Sequence, residues 1–378
     1  MEKSFVYGVA VSGYNFTGRE EETRRLKMNF ENGINSILIS PRRWGKTSLV
    51  NHVRNQMKGT DTMIVSLDIF GCKNEYEFYN QLAEAVLKQT ASKLQLWMEE
   101  ARDFLSRLTP KLSISPEPGS DFSVSLGITP ETHSPEEILE LVETIAKKKN
   151  KRIIVCIDEF QQVGEFDNSR SVQARMRSVW QHHHYASYCL YGSRQHMMSN
   201  IFLNRSMPFY QFGDLMWLQK IPTADWLPYI VSHFSDAGRS ITEEQARWIC
   251  ETVSNYPSYV QHLCSILLNA TAVGASVSES QKEPAIRELI GTNEALYMQQ
   301  VEPLSAYQMN LLRAVVAGIR QGYNEKKVRM RYNLGSPSNI VRLREALIER
   351  DLVYSEMKQL YITDPVFELW FRQKLLWP

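Results

Sequence analysis

Cysteine is scarce in this chain: five in 378 residues (Cys72, Cys156, Cys189, Cys250 and Cys264), with no C-x-x-C pair. An odd count without metal-ligand spacing argues against a disulfide framework and suits a reducing compartment. Four of the five sit in apolar stretches and read as small buried hydrophobes. Charge of one sign is also missing. The 43 basic and 42 acidic residues leave a net charge of +1, so any nucleic-acid surface must be local. No apolar run approaches the length of a membrane span. The first residues, MEKSFVYGVAV, lack a long apolar segment and a cleavage site, so a cytoplasmic protein away from membranes is expected. There is no internal repeat and no low-complexity tract. What remains is ordinary globular composition, 43% hydrophobic, in a chain long enough for two or three domains.

The order of elements is more informative. NSILIS (35–40), TMIVSLDIF (62–70), RIIVCIDEF (152–160) and SYCLYGS (187–193) read as buried strands. Between them lie helical patterns, including TSLVNHVRNQMK after the first strand and a long one from Tyr76 to about Leu108. SPEEILELVETIAKKK opens with a serine cap, a proline and early glutamates, and closes on lysines. Strands alternating with helices predict a mainly parallel sheet with helices on both faces. Two alternating runs around Pro-Glu-Pro-Gly, near 111–128, read as an inserted β-hairpin, either a projection toward a partner or a simple sheet extension. After about Gly213 the strand signal fades into several short helices. From about Pro303 the pattern is three helices and two short strands around a turn at Met357 and Lys358, which suggests a winged helix.

SPRRWGKTSLV (40–50) ends like a phosphate-binding loop and lies between a strand and a helix. Such a loop holds phosphate through backbone N–H groups at a helix N-terminus, a lysine that reaches the β- and γ-phosphates, and a hydroxyl placed on Mg²⁺. Here those are Gly45, Lys46 and Thr47. The leading glycine is replaced by Ser40. Serine is small, and Pro41 favours an ordinary extended conformation before it. The second half of the site lies about 110 residues on. An apolar strand ends in Asp158, a carboxylate for the metal side, and Glu159, which can orient the attacking water. Either motif alone reads equally as a basic loop or an acidic turn, but the two together point to nucleotide binding.

With these motifs in place, nearly the whole chain resembles the prokaryotic AAA+-like ATPases of the STAND class, often called archaeal-type ATPases. FTGREEETRRL (16–26) resembles the family's N-terminal box, in which the positions of Gly18 and Arg19 lie near the adenine. The loop is similar to the family's phosphate loop, where Pro-Arg-Arg before GKT is common, so Ser40 looks like a family variant. The resemblance implies nucleotide contacts from Ser40, Arg43, Trp44, Gly45, Lys46, Thr47 and Ser48. CLYGSRQHMM resembles the sensor strand, with Ser193 and Arg194 placed to feel the γ-phosphate. NYPSYVQHLC resembles the Gly-x-Pro motif of the helical lid, with Pro257 retained and Asn255 in place of the glycine. ITDPVFELWFR is like the signature that closes the family's winged helix. One departure is MPFYQFGDL, where Gln211 stands in place of an arginine that is a candidate trans-acting finger. Unless Arg205 or Arg194 substitutes, hydrolysis is expected to be slow.

Three other features bear on function. His182–His184 invite a zinc reading, but consecutive helical residues point to different faces, so surface or sheet-packing histidines are expected. Lys326, Lys327, Arg329, Arg331, Arg342 and Arg344 form a basic stretch without an acid, although the segment from Val301 to Pro378 nets only +4. In a winged helix, Lys326, Lys327, Arg342 and Arg344 are candidate nucleic-acid contacts. Packing of that domain as an interaction module is the alternative. The aromatic run FYQFGDLMWLQKIP reads as core packing or as a partner surface.

The expected fold is therefore α/β: a P-loop NTPase αβα core over 1–213, a helical lid over 214–296 and a winged helix over 297–378. The expected cofactors are ATP or ADP and Mg²⁺. Catalysis is assigned to Lys46, Glu159, Ser193 and Arg194, and the metal to Thr47 and Asp158. The expected function is a nucleotide-driven switch with slow ATPase activity and a protein partner or self-association. The alternatives are an ATP-regulated DNA-binding protein and a degenerate ATPase that binds without turnover.

Overall fold

A computed structural model describes residues 5–90 and 134–376. The hairpin expected near 111–128 and the distal part of the helix expected to reach Leu108 lie outside the described residues. The chain forms two compact units. Of the described residues, one holds 19–42, 46–90 and 134–219, and the other holds 5–18, 43–45 and 220–376.

The first unit is built on a five-stranded, all-parallel sheet: β1 (Ser36–Ile39), β2 (Thr62–Asp68), β3 (Arg152–Asp158), β4 (Ala186–Gly192) and β5 (Asp214–Trp217). The order across the sheet is β2-β3-β4-β1-β5. β1 is short but wholly buried, with Ile37 opposite Leu190 and Leu215. β4 is buried at all seven positions, as an apolar strand flanked on both edges and covered on both faces must be. Because the strands are parallel, their C-terminal ends share one edge. The loop after β1 and the acids after β3 are then separated only by the end of β4, where Ser193 follows. Helix Lys46–Gln56 springs from the loop, and helices Glu75–Thr90 and Pro135–Lys149 bury apolar faces in the same core.

The fifth strand, DLMW, starts just after Gly213, where the sequence shows no strand pattern, so the sheet unit runs past the expected end of the core. Four residues opening on an acid, of which only Met216 is buried, carry little apolar periodicity. Asp214 is held from helix Glu20–Asn32 by Arg25 (Nε, 2.8 Å) and Asn29 (Nδ2, 2.7 Å). Gly213 has no room for a side chain, because a Cβ would run into the Asn35 backbone. The aromatics just before it pack inward. Phe209 and Phe212 are buried within 5.9 and 6.2 Å of the Trp180 ring.

The second unit is helical. Thr223–Asp236, Glu243–Thr252, Pro257–Ala270 and Lys282–Val301 lead into Ala306–Val316, Lys326–Tyr332 and Pro337–Glu349. An antiparallel pair, β6 (Val353–Glu356) and β7 (Gln359–Ile362), then forms the wing. Its turn residues Met357 and Lys358 have φ of 47° and 67°, the doubly left-handed turn that matches strand twist. The chain closes on helix Pro365–Lys374. The division expected at residue 296 falls inside the helix Lys282–Val301. One buried core continues from Trp226 to Trp370, so the lid and winged-helix segments pack as one body. All five cysteines are free and buried. Among the described residues, no helix is long and apolar enough to cross a membrane.

Candidate nucleotide site

The phosphate loop runs from Ser40 to Gly45, between β1 and helix Lys46–Gln56. Its backbone is left-handed at Arg43 (φ 62°) and Gly45 (φ 91°), whereas Ser40 is not among the positive-φ residues. Ser40 therefore needs no glycine freedom, and it is fully buried. The Lys46 ammonium bridges the loop, donating to Ser40 O (2.9 Å) and Pro41 O (3.0 Å). Burial pushes its pKa down to about 8; Glu159 and Asp158 oppose that shift, and Arg42 adds to it. Thr47 Oγ1 donates to Asp158 Oδ2 at 2.7 Å, which ties the two motifs together. Burial raises the Asp158 carboxyl to about 6, with the nearby Glu159 charge adding to the shift and the Thr47 hydrogen bond and the Lys46 charge opposing it. Ser48 is buried in the first turn of the helix.

Glu159 follows β3 in a left-handed conformation (φ 54°) that turns the chain out of the sheet. Its Oε2 accepts from Ser193 Oγ (2.9 Å) and from Gln161 Nε2. Burial pushes its pKa up, but those two hydrogen bonds and the charges of Lys46 and Arg42 outweigh this, and the carboxylate is held below its usual range. Ser193 is brought into the site. Arg194 is turned aside, paired with Glu165. Arg205 is exposed on the segment after helix Gln195–Leu203.

Three residues of the site escaped the sequence reading. Arg42 Nε lies 3.4 Å from Ser193 Oγ. Gln161 is buried and carries Glu159. Gly192 leaves room for Gln161, since a methyl there would overlap Gln161 Oε1 and lie 2.8 Å from Met198 Sδ. Arg42 stood in plain view beside Arg43, and the Gln161-Gln162 pair just after the acids was the signal for the second.

Of the remaining predicted residues, Gly18, Arg43, Trp44 and Pro257 belong to the helical unit and Arg19 to the sheet unit. Arg43 places its guanidinium 6.0 Å from the Tyr259 ring. Trp44 meets Tyr256 edge-on at 6.0 Å. Gly18 (φ 61°) approaches Ile221 so closely that a Cβ would lie 2.9 Å from its Cγ2, and the next residue, Arg19, is buried and paired with Glu22 at 2.7 Å. Pro257 opens helix Pro257–Ala270 just after Ser254 and Asn255, both left-handed. Asn255 at φ 56° holds the conformation that the family's glycine takes most readily and that asparagine tolerates.

Lys326 and Lys327 are exposed in the first turn of their helix. Arg342 is exposed and Arg344 half-buried on helix Pro337–Glu349, capped by Ser336. Two residues apart on a helix, Arg342 and Arg344 do not share a face. His183 is held between Tyr188 (2.9 Å) and Glu140 (3.1 Å), a packing role. Among the described residues, no cluster of three or more His, Cys, Asp or Glu could hold a metal ion.

Residues 16–201 match a family model described as an ATPase domain predominantly from Archaea, and residues 295–373 one described as a probable winged helix domain. No curated protein matches the chain. Among solved structures, the Walker-type ATPase of Pyrococcus abyssi is similar at 16% identity, with 98% of this chain and 100% of that chain covered and a TM-score of 0.71. The Aeropyrum pernix ORC2 protein, in ADPNP–ADP complexes, is similar at 16% identity, with 94% of each chain covered and a TM-score of 0.58. The ORC1 protein of the same organism, in complex with DNA, is similar at 10% identity, with 95% of this chain and 93% of that chain covered and a TM-score of 0.50. Identities of this size mark a shared fold. The parallel sheet, the loop after β1, the acids after β3 and the terminal wing agree with both domain assignments: the chain carries an archaeal-type ATPase domain followed by a winged-helix domain.

Proposed function

We propose that the chain binds Mg²⁺–ATP at the loop after β1, hydrolyses it slowly, and works in the cytoplasm as a nucleotide-driven switch of the STAND kind. The observation that carries this reading is the 2.7 Å bond from Thr47 to Asp158, with the next residue, Glu159, anchored on Ser193. Lys46 would leave its loop carbonyls for the β- and γ-phosphates, and the N–H groups from Arg43 to Thr47 would cradle them. Gly18, Arg19, Trp44, Ser48 and Pro257 remain the further nucleotide contacts. Thr47 and Asp158 suit Mg²⁺ as hard oxygen donors beside each other. Bound there, Mg²⁺ would neutralise phosphate charge. Glu159, ionised and fixed by Ser193 and Gln161, would orient the attacking water. Ser193 would report the γ-phosphate through Glu159. Arg194 would join it only by giving up Glu165.

A ligand in this loop can move the chain between conformations only by its differential affinity for them. The output would be a contact with a protein partner or another copy of the chain.

The test is Mg²⁺-dependent ATP turnover by wild type, Lys46→Ala and Glu159→Gln. Turnover lost in both variants supports the reading. If wild type binds nucleotide without turnover, and Lys46→Ala does not bind, hydrolysis is refuted and a binding switch stands.

A second reading is favoured by Lys326, Lys327 and Arg342, which lie exposed on successive helices of the winged helix: ATP-regulated DNA binding. If it holds, Arg342→Glu weakens duplex DNA binding and flattens its salt dependence by about one counterion. An unchanged slope in Arg342→Glu and in Lys326→Glu/Lys327→Glu sinks it.

A further inference from the structure

We infer that Arg42 is a catalytic arginine supplied in cis by the phosphate loop, placed to act on the γ-phosphate of ATP. The inference rests on the ATPase reading above and adds the cation that Gln211 does not provide. Arg42 is the third residue of the loop, on the side that faces the ends of β3 and β4. Its Nε lies 3.4 Å from Ser193 Oγ, and that hydroxyl donates to Glu159 Oε2 at 2.9 Å. The guanidinium also lies over the exposed ring of Phe70, 5.9 Å from its centroid, just past the end of β2. These contacts hold a cation beside the carboxylate that would orient water. The other candidate arginines are placed elsewhere: Arg194 is paired with Glu165, and Arg205 is exposed beyond the next helix.

The chemistry needs positive charge at this point. The oxygen of water bonds to the γ-phosphorus as the bond from that phosphorus to the β,γ-bridging oxygen breaks. The water proton is taken up at Glu159 and passes on to the phosphate product, and ADP carries the electron pair of the broken bond. Charge spreads over the γ-oxygens and the leaving oxygen in the transition state, where a planar guanidinium fork is suited to donate. Lys46 already serves the β- and γ-phosphates from the floor of the loop. Arg42, at the Ser193–Glu159 end, is positioned for the oxygens that face the attacking water. Its contact with Ser193 keeps the fork in place, which reduces the ordering that each catalytic hydrogen bond costs.

The experiment compares wild type, Arg42→Ala and Arg42→Lys in Mg²⁺–ATP turnover and in ATP binding, with and without added guanidinium ion at sub-denaturing concentration. Glu159→Gln is the control for the ATPase reading. The expected result is a fall in kcat of at least about a hundredfold in Arg42→Ala, in line with arginine fingers elsewhere. ATP dissociation should stay within about threefold of wild type, Arg42→Lys should recover turnover only in part, and guanidinium should rescue Arg42→Ala but not Glu159→Gln. Retained ATP binding shows that the variants are folded. Turnover within about threefold of wild type in Arg42→Ala, while Glu159→Gln is dead, overturns the role of Arg42 and leaves the ATPase reading standing. A fall in kcat without guanidinium rescue assigns Arg42 to holding Ser193 and also overturns the catalytic role. Wild type that binds ATP and never turns it over overturns both.

Discussion

Gly192 ends β4 with ordinary backbone geometry, so its smallness, not its flexibility, is what the site uses. A methyl there would overlap Gln161 Oε1 and sit 2.8 Å from Met198 Sδ. Gln161 is buried, and its Oε1 has no hydrogen-bond partner, so its amide is anchored through Nε2 on Glu159. Gly192→Ala must therefore push Gln161 off Glu159 or displace the strand. Overpacking a tight core costs about 1–3 kcal/mol. Losing a hydrogen bond to a charged group adds about 1.5 kcal/mol or more. A total of about 2–4 kcal/mol is expected, measured by urea unfolding followed through tryptophan fluorescence, with buried Trp180 reporting on the sheet unit. In a Gln161→Ala background most of this clash is gone. Met198 remains, but a thioether side chain adapts to small shifts. The same Gly192→Ala change should then cost only about 1 kcal/mol, a coupling of about 1–3 kcal/mol in the double-mutant cycle. Additivity within about 0.5 kcal/mol would refute the reasoning, because it would mean that Gln161 does not fill the space above Gly192.

Other perturbations test other parts of the frame. Buried Glu143 accepts from the N–H groups of His184 (3.1 Å), Tyr185 (2.9 Å) and Ala186 (2.9 Å), and Lys147 pairs with it. Burial raises its pKa, but these partners outweigh burial and leave it below the ordinary 4.5, so its contribution is present above that pH and fades as pH falls through the lower folded value. Glu143→Gln should cost about 2–4 kcal/mol at neutral pH in urea titrations, with the gap from wild type closing below about pH 4.5. Asp364 caps helix Pro365–Lys374 through Val366 N (2.8 Å) and Phe367 N (3.0 Å) and accepts from Tyr259 Oη. Asp364→Ala should lower stability by about 2–4 kcal/mol, and Asp364→Asn, which keeps an acceptor for the cap, by clearly less; equal losses would remove the cap from the account. Asn255→Gly should change the unfolding midpoint little, because relief at φ 56° offsets the lost bonds to Thr223, whereas Asn255→Val should cost about 1–2 kcal/mol.

Residues whose chemistry depends on neighbours in sequence were legible, and those whose chemistry depends on packing were not. The loop after β1 and the acids after β3 announce themselves because a strand end must be apolar and a phosphate site must be small, basic and capped by a helix. The cap at Ser134 was readable for the same local reason. β5 was not, since its stability comes from pairing with β1 and from Arg25 and Asn29 on a distant helix, neither of which leaves a periodic trace in four residues. Nor does a sequence disclose that Gln161 folds back onto Glu159, or that Arg42 and not Arg43 turns toward Ser193. The two arginines are chemically identical and adjacent. Arg42 lies against Ser193, whereas Arg43, in a left-handed conformation, lies against the Tyr259 ring. The apparent lesions in the family pattern resolve on the same grounds. Ser40 occupies an ordinary conformation and lends its carbonyl to Lys46, and Asn255 adopts the left-handed turn that glycine would. Gln211 also adopts a left-handed backbone (φ 55°), but a backbone conformation cannot replace a guanidinium. Of the three departures from the pattern that the chain resembles, Gln211 alone falls at a position for which that pattern offers a chemical role, a candidate trans-acting arginine, and that is why the cis placement of Arg42 is the one to test.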